Sequence, residues 1–332
     1  MIAKLLEMND NLTDLDLTTS NLKATDCEKI STALAINSTL KVLKIGSRNM
    51  PISQESMNID RAIAKALQNN SSLTDLRIQK LIMNNSVVDI CEGLKFNKSL
   101  TSLYIREIMD MKDFGFEAFT EALKINPTLK HLDIGSYSID TRAYASFREF
   151  LYNSFTSLTL RNCVRRHEEV QIIFERLNVH STLKNFSLKG CDSLGLESLL
   201  LLSVVLTSNT MLRSLDVSEI KLEKSFAVCR ALRHNSTLTK LAIDSSARTL
   251  DRNQHLQYYQ ELAEILRKNR SLRILDLTAV HIDTTIAAEL FECLKFNDFI
   301  VDIRSNGDMA RIHSPELAER LEENKQDFSK LK

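Results

Sequence analysis

The stretch Asn37-Ser-Thr-Leu40-Lys-Val-Leu43-Lys-Ile45 decides the fold, because versions of it return along the whole chain of 332 residues. Its general form is N-x-x-L-x-x-L-x-(L/I). The opening apolar residue of this form stands at eleven positions: Leu12, Leu40, Leu73, Leu100, Leu129, Phe155, Leu183, Leu212, Leu238, Leu272 and Ile300. Successive positions lie between 26 and 34 residues apart. A unit that recurs at a nearly fixed spacing predicts a repeat protein, in which each unit stacks on the next.

Each unit has two halves with different periods. Leu43-Lys-Ile45 alternates apolar and polar residues, which is typical of a strand with one buried face. Ile59 to Leu67 has apolar residues at the spacing of a helix that buries one face. Each unit is therefore predicted to contain one strand and one helix. Neither element can bury its apolar side without a neighbouring unit.

An Asn precedes the opening residue by three positions in nine of the eleven units: Asn9, Asn37, Asn70, Asn97, Asn126, Asn209, Asn235, Asn269 and Asn297. Tyr152 and His180 stand at this position in the other two units. The Asn follows the last turn of the predicted helix, and Asn tolerates the left-handed conformation in which many helices end. We therefore predict a left-handed helix cap at each Asn. Such caps would explain why so long a chain has only seven Gly.

A strand–helix unit of about 28 residues with an LxxLxL strand resembles the ribonuclease-inhibitor class of leucine-rich-repeat proteins. The resemblance spans Met1 to Ser305. It implies an α/β solenoid of about eleven repeats shaped as a horseshoe, with a parallel β-sheet on the concave face and α-helices on the convex face. The class usually has Asn or Cys three residues after the last apolar strand residue, and only Cys163 and Cys191 fit. The other sites hold Ser20, Arg48, Leu81, Ile108, Tyr137, Ile220, Ser246 and Val280, so we expect these loops to be irregular.

The two ends of the chain differ from the middle. Met1 to Met8 can supply only the last turns of a helix, and Ser314-Pro315 is typical of a helix start. We therefore predict a repeat domain over 1–313 and a capping helix or tail over 314–332. The Glu-rich tail also resembles C-terminal translocation signals of effectors secreted by intracellular bacteria, which would direct the repeats at a host protein. A solvated capping helix explains the same residues.

Composition and motifs argue against several functions. Lys plus Arg equals Asp plus Glu at 43 each, which gives no indication of nucleic-acid binding. The six Cys contain no CxxC pair and fit a reducing compartment, and we see no signal peptide or membrane-spanning run. Gly190 and Gly195 lack the Lys of a phosphate loop, and His167-Glu168 lacks the second His of a zinc protease. Cys91 and Cys229 lie on the apolar helix face, so we predict that neither is a nucleophile. We predict no metal or cofactor site and no enzymatic activity. The predicted location is the cytoplasm, or the host cytosol if the chain is an effector.

Residues between the buried strand positions should point outward along the concave face. The middle column holds Asp16, Lys44, Arg77, Tyr104, Asp133, Thr159, Ser187, Asp216, Ala242, Asp276 and Arg304. The next column holds Thr18, Gly46, Gln79, Arg106, Gly135, Arg161, Lys189, Ser218, Asp244, Thr278 and Asn306. Tyr and Arg are enriched at binding hot spots. The predicted contact residues are Arg77, Tyr104, Arg106, Asp133, Arg161, Lys189, Asp216, Asp244 and Asp276, a basic centre with acidic flanks, although ordinary solvent-exposed positions would give the same columns.

The predicted function is that of a monomeric, non-enzymatic scaffold that binds an unidentified protein through the concave face. The alternative is a regulator of a small GTPase, since the same repeat class includes GTPase-activating proteins. Two units are longer than the rest, with the extra residues at 46–57 and 244–258. Insertions in repeat proteins often lie on the binding face, but exposed loops also tolerate changes in length at little cost.

Overall fold

A computed structural model of the chain describes the following residues: 1–20, 22–46, 54–79, 84–108, 113–136, 148–149, 151, 155–163, 167–179, 182–190, 196–218, 230–243, 252–278, 292–305 and 315–330. The chain divides into two compact units, Met1–Cys163 and Val164–Lys332. The two units are described separately below as unit 1 and unit 2.

Unit 1 alternates helices and strands. Its strands are β1 (Asp14–Leu17), β2 (Val42–Gly46), β3 (Asp75–Gln79), β4 (Ser102–Ile108), β5 (His131–Ser136) and β6 (Ser157–Arg161). Its helices are α1 (Ile2–Met8), α2 (Ala24–Ile36), α3 (Gln54–Asn69), α4 (Asn84–Phe96) and α5 (Asp113–Ile125). Each strand pairs in parallel with the next strand along the chain.

Unit 2 has the same organisation. Its strands are β7 (Asn185–Ser187), β8 (Ser214–Val217), β9 (Lys240–Ile243), β10 (Ile274–Leu277) and β11 (Asp302–Ser305). Its helices with both ends described are α6 (His167–Val179), α7 (Leu196–Ser208), α8 (Arg252–Lys268) and α9 (Pro315–Lys330). The strands pair in parallel in sequential order. Both units therefore confirm the predicted α/β leucine-rich-repeat fold, with eleven strands in the described residues.

The repeated apolar positions form the core. Ten of the eleven opening residues are buried, and Leu12, beside the first helix, is half-buried. In unit 1, Leu43 and Ile45 of β2 line the same interior space as Ile30 and Leu34 of α2. The alternating strand residues and the periodic helix residues thus meet in one layer, as their sequence periods predict. Leu6 of α1 is 1% exposed and belongs to this buried apolar layer.

The repeated Asn does not take the conformation predicted for it. Asn37 follows α2 with φ −72° and ψ 130°, an extended conformation, and Asn9 is also extended. Among the described non-Gly residues, positive φ occurs only at Glu107 and Asn162. The left-handed cap was therefore the wrong explanation. The reason for the Asn is its carboxamide, which binds four backbone groups.

Asn97 shows this arrangement in full. Its side-chain oxygen accepts hydrogen bonds from the backbone N–H groups of Ser99 (3.0 Å) and Leu100 (2.7 Å). Its amide donates to the carbonyl oxygens of Leu67 (2.8 Å) and Asn70 (3.0 Å) in the preceding repeat. One side chain therefore closes the turn into its own strand and links two repeats. Asn70, Asn126, Asn269 and Asn297 make the same four bonds.

A further Asn, Asn324, extends this series of Asn hydrogen bonds between repeats (the Asn ladder). It lies within α9, the C-terminal helix. Asn324 is 5% exposed, and its amide donates to the carbonyl oxygens of Asn297 (2.9 Å) and Ile300 (2.8 Å). These bonds attach α9 to the repeat that contains β11. α9 begins at Pro315, as the sequence indicated, while Ser314 lies outside the described residues.

Two of the strand-to-helix loop sites that the structure describes are Cys163 and Ile108. Cys163 is fully buried, and its thiol donates to the carbonyl oxygen of Ile134 at 3.3 Å, which is the expected loop role. Ile108 occupies the corresponding site as a buried apolar residue, and it is the last residue of β4. β4 is irregular there, with a register shift between Ile105 and Ile108. Cys191 and most of the other loop sites lie outside the described residues.

The two longest repeats do not place all of their extra residues in loops. α3 has 16 residues and α8 has 17, whereas α2, α4 and α5 have 13 each. Residues 54–57 and 252–258 are helical, so part of the extra length extends the helices. Residues 47–53 and 244–251 lie outside the described part of the chain.

Candidate functional site

The register of unit 1 places the predicted contact residues side by side. Arg77 pairs with Tyr104, and Tyr104 pairs with Asp133 on the next strand. Gln79 pairs with Arg106, and Gly135 pairs with Arg161. Neighbouring parallel strands lie about 4.8 Å apart, so side chains on one face are within reach of each other. Arg77, Tyr104, Arg106, Asp133 and Arg161 therefore form one surface in unit 1.

Arg77 and Tyr104 form the centre of this surface. The Arg77 guanidinium lies 4.7 Å from the centre of the Tyr104 ring, which is cation–π geometry. The same guanidinium forms two hydrogen bonds with the Asp75 carboxylate, at 2.9 and 3.0 Å. Burial raises the pKa of the half-buried Tyr104 hydroxyl. The ring and the guanidinium hold each other in a fixed orientation, with little side-chain freedom left to lose on binding.

Asp133 lies between two arginines. The residue is 4% exposed, and its carboxylate accepts three hydrogen bonds from Arg161, two from Nε at 3.0 and 3.2 Å and one from Nη2 at 3.2 Å. Arg106 Nη2 lies 3.3 Å from the same carboxylate. A carboxylate this deeply buried requires such partners, because desolvation disfavours its charge. Asp133 thus positions both guanidinium groups, and its carboxylate is largely hidden from a partner.

The surface carries less positive charge than the two outward columns indicated. Asp75 belongs to a third outward column, one that the sequence analysis did not consider, and it neutralises Arg77. Asp133 faces Arg106 and Arg161, and Asp16 faces Lys44 at 3.2 Å. Strand alternation could have found Asp75, since it lies two residues before Arg77 on the same face. The surface is therefore a network of ion pairs around an aromatic ring.

A groove of about 230 Å³ opens on this surface. It is lined by Asp16, Thr18, Lys44, Arg77, Ile78, Gln79, Tyr104 and Arg106. Hydrogen bonds from Thr18 and Lys44 lower the pKa of the Asp16 carboxyl from 3.8 to about 2. A lowered carboxyl pKa favours the folded arrangement above the ordinary pKa, and this contribution is lost as pH falls from about 4 towards 2. The Asp16 carboxyl is therefore ionised at neutral pH.

The remaining predicted contact residues belong to unit 2 or lie outside the described chain. Lys189, Asp216 and Asp276 are half-exposed in unit 2, and Asp244 lies outside the described residues. Asp216 accepts hydrogen bonds from the backbone N–H (3.0 Å) and hydroxyl (2.6 Å) of Ser218. Asp276 binds Thr278 in the same way, at 3.1 and 2.7 Å. This Asp-x-Ser/Thr turn at the strand end gives both residues a local role, and the motif is visible in the sequence.

Within the described residues, no group of three or more His, Cys, Asp or Glu side chains could hold a metal ion. Cys91 is fully buried, and desolvation raises its thiol pKa well above the ordinary value, which makes it a poor nucleophile. Cys229 lies outside the described residues. None of the described helices combines the length and the apolar composition needed to cross a membrane.

Asp133→Ala is expected to lower the free energy of unfolding by about 1–3 kcal/mol, because it leaves the partly buried Arg161 guanidinium and the exposed Arg106 guanidinium without their carboxylate. Urea denaturation followed by circular dichroism would measure the change. Asp16→Ala is the matched control, since it removes an exposed carboxylate from the same face. Equal effects of the two substitutions would show that Asp133 does not organise the surface.

Comparison with known proteins gives only distant similarities. No protein-family model and no curated protein matches the chain. Among solved structures, the actin-binding site 2 domain of leiomodin-1 resembles 48% of this chain and 91% of its own, with 20% identity and a TM-score of 0.40. A tropomodulin C-terminal domain from Caenorhabditis elegans covers 48% and 95%, with 12% identity and the same TM-score. Structural similarity this weak does not identify a binding partner. The proposal of a function therefore rests on the surface of unit 1.

Proposed function

We propose that this chain is a non-enzymatic repeat scaffold that binds a protein partner through the groove of unit 1. The observation that supports this most is the Arg77–Tyr104 stack, which presents a fixed, half-buried aromatic ring in an open groove. Tyr and Arg contribute most often to interface energy, and hot spots occur where such side chains are surrounded by groups that exclude water. Arg106 lies beside the ring, and Lys44 lies across the groove.

The ion pairs of the surface support binding rather than oppose it. Arg77 is fixed by Asp75, and Arg106 and Arg161 are fixed by Asp133. Side chains that are already ordered lose less entropy when a partner binds. A partner for such a groove would have a large apolar group for the face of Tyr104 and mixed charges around it. We infer that the partner matches the groove in shape and in its alternating charges. Binding would not depend on a large positive electrostatic potential.

The finer assignments belong to the same proposal. The ribonuclease-inhibitor-like class is supported by the alternation of 13-residue helices with short parallel strands. A repeat domain over 1–313 and a cap over 314–332 are supported by the hydrogen bonds of Asn324. A role as an effector acting on a host protein, in the host cytosol and as a monomer, remains a prediction from the sequence.

Affinity capture from a eukaryotic lysate with wild type and the triple variant Arg77→Glu/Tyr104→Ala/Arg106→Glu tests the groove. A partner that binds the wild type is expected to lose at least about tenfold in affinity for the variant, which corresponds to about 1.4 kcal/mol. Arg304→Glu is the control. Arg304 pairs with Asp302 at 3.0 Å, as Arg77 pairs with Asp75, and it lies on β11 of unit 2.

Circular dichroism must first show that all three proteins are equally folded. A partner retained equally by the wild type and the triple variant would place the binding site elsewhere on the chain. Loss of binding in both variants would show dependence on general charge and would contradict a groove centred on Tyr104.

A further inference from the structure

Three successive repeats of unit 2 place basic side chains together where their strands begin. The backbone N–H groups of Thr239 and Lys240 donate to the carbonyl oxygen of Arg213, at 2.8 and 2.9 Å. The N–H groups of Arg273 and Ile274 donate to the carbonyl oxygen of Thr239, at 2.8 and 3.0 Å. These backbone hydrogen bonds make Arg213 a neighbour of Thr239, and Thr239 a neighbour of Arg273, on adjacent repeats. The helix ends that precede these strands bring Arg233, Lys268 and Arg270 to the same edge.

These residues line a cleft of about 490 Å³. Its lining is Arg213, Arg233, His234, Asn235, Ser236, Thr237, Thr239, Lys268, Asn269, Arg270, Ser271 and Arg273. The described lining thus has five cationic side chains and four hydroxyl groups but no carboxylate. The volume lies within the range of small-molecule clefts, about 300–1,000 Å³, whereas the lining is far more polar than usual.

Nearby carboxylates neutralise only part of this charge. Lys268 pairs with Glu264 at 2.7 Å, and Arg270 lies 3.9 Å from Asp298, which is also bound by Arg320. No described carboxylate forms an ion pair with Arg213 or Arg233. The Arg213 guanidinium instead donates to the neutral carbonyl oxygens of Thr210 (2.8 Å) and Leu212 (3.2 Å). The cleft therefore has an excess of positive charge, in contrast to the paired charges of the unit 1 groove.

One phenylalanine holds two of the cations in place. The guanidinium groups of Arg270 and Arg273 lie 5.2 and 4.9 Å from the centre of the Phe299 ring. Arg273 also donates to the carbonyl oxygen of Phe299 at 3.3 Å. Burial lowers the pKa of the Arg273 guanidinium, because desolvation disfavours its charged form. The arrangement is partly preorganised for a negatively charged ligand.

Helix polarity alone does not account for the cluster. Cations are favoured at helix C-termini, which explains Lys268 at the end of α8. Arg213 and Arg273 lie instead on the segments that lead into β8 and β10. The equivalent positions of unit 1 hold Thr13, Lys41, Thr74, Thr101, Lys130 and Thr156, so the repeat accepts either a hydroxyl or a cation there. In unit 2, Arg233, Lys268 and Arg270 from the helix ends line one cleft together with Arg213 and Arg273.

We propose that this cleft binds a compact ligand with several phosphate groups, of the inositol-polyphosphate type. A phosphate monoester carries about −1.5 to −2 charges at pH 7, so a small ligand of this class supplies enough negative charge for five cations. The guanidinium fork matches phosphate oxygens in two-point hydrogen bonds. The same chemistry is offered by a soluble inositol phosphate and by a phosphoinositide headgroup. The proposal is independent of the protein-binding groove in unit 1.

Isothermal titration of the full chain with inositol hexakisphosphate tests the site. The variant Arg213→Gln/Arg233→Gln/Arg270→Gln should bind at least about tenfold more weakly than the wild type, with an affinity that falls steeply as salt is added. The control is Lys41→Gln/Lys98→Gln/Lys130→Gln, which removes the same charge from the corresponding edge of unit 1 and should bind within about twofold of the wild type. Circular dichroism verifies that both variants are folded.

Sedimentation with phosphatidylcholine vesicles, with and without a phosphoinositide, then distinguishes a lipid headgroup from a soluble ligand. Binding of the soluble ligand alone identifies a free phosphate compound, and binding to the phosphoinositide vesicles as well identifies the headgroup. The proposal is overturned if wild type shows no heat of binding, if both triple variants lose affinity equally, or if an oligo-glutamate peptide binds more tightly than the inositol phosphate.

Discussion

Asn97→Ala is expected to lower the free energy of unfolding by about 3–5 kcal/mol, because the substitution strips four buried backbone groups of their partner. Asn97 is 1% exposed and binds two N–H groups and two carbonyl oxygens, with all four distances between 2.7 and 3.0 Å. Alanine leaves each of these groups without its carboxamide partner. Urea denaturation monitored by circular dichroism would measure the loss.

Asn69→Ala is the matched control for the ladder. Asn69 is an exposed residue in the last turn of α3, and its amide donates to the carbonyl oxygen of Lys65 at 2.8 Å. We expect a change within about 0.5 kcal/mol, as is usual for surface substitutions. If Asn97→Ala destabilises the protein no more than Asn69→Ala, the ladder hydrogen bonds do not hold the repeats together.

A second substitution at the same site gives a pH signature. In Asn97→Asp, one carboxylate oxygen can accept both N–H groups, while the other faces the carbonyl oxygens of Leu67 and Asn70. Burial beside two acceptors favours the protonated form, so the folded-state pKa of the new carboxyl is raised. Its stabilising contribution is therefore present below the unfolded pKa and is lost as pH rises through the folded value. The variant should be closest to the wild type at acid pH.

Gly93→Ala is expected to destabilise the protein by about 2–3 kcal/mol, although alanine is ordinarily favoured over glycine in a helix by about 1 kcal/mol. Gly93 lies in α4 where it passes α3. An added Cβ would lie 2.4 Å from the carbonyl oxygen of Ala64 and 3.0 Å from its carbonyl carbon. These are backbone atoms of a packed helix, so α3 and α4 must separate to accept the methyl group. Thermal unfolding would report the change in stability.

Gly135→Ala tests the same substitution where there is room. A Cβ at this position would lie 3.6 Å from Arg106 Cα and 3.6 Å from Arg161 Cβ, which are ordinary contacts. The melting temperature of this variant should stay close to that of the wild type. A stabilised Gly93→Ala protein would mean that α3 and α4 do not approach each other this closely.

Sequence reasoning predicted the fold well because the information is periodic. The positions of Leu40, Leu43 and Ile45 identify a strand, and their recurrence identifies the stack. The core needs only apolar residues at the correct spacing, and spacing is visible in one chain. The Asn of each repeat was recognised by position but explained wrongly, since its hydrogen bonds run to the preceding repeat. Such bonds depend on atoms about 30 residues away, which local conformational preferences do not describe.

The candidate site was predicted only in outline. Alternation placed Arg77, Tyr104 and Arg106 on one face, and the structure brings them to one groove. The pairing of Arg77 with Asp75 and the burial of Asp133 depend on side-chain direction and on packing across three strands. The cleft around Arg213 was not predicted, because its residues precede the strands and strand alternation applies only to positions within them. A comparison of the positions just before each strand would have found these cations.

In a repeat protein, each repeat exposes apolar and hydrogen-bonding groups on which another repeat can stack. The fold alone therefore does not set the number of repeats. The amide of Asn324 occupies the carbonyl oxygens of Asn297 and Ile300, but it does so from the middle of α9 and not from a turn that leads into a strand. Within the described residues, the carbonyl oxygens of Asn297 and Ile300 are therefore bound by a helix side chain, whereas other repeats use the Asn of a turn that leads into a strand.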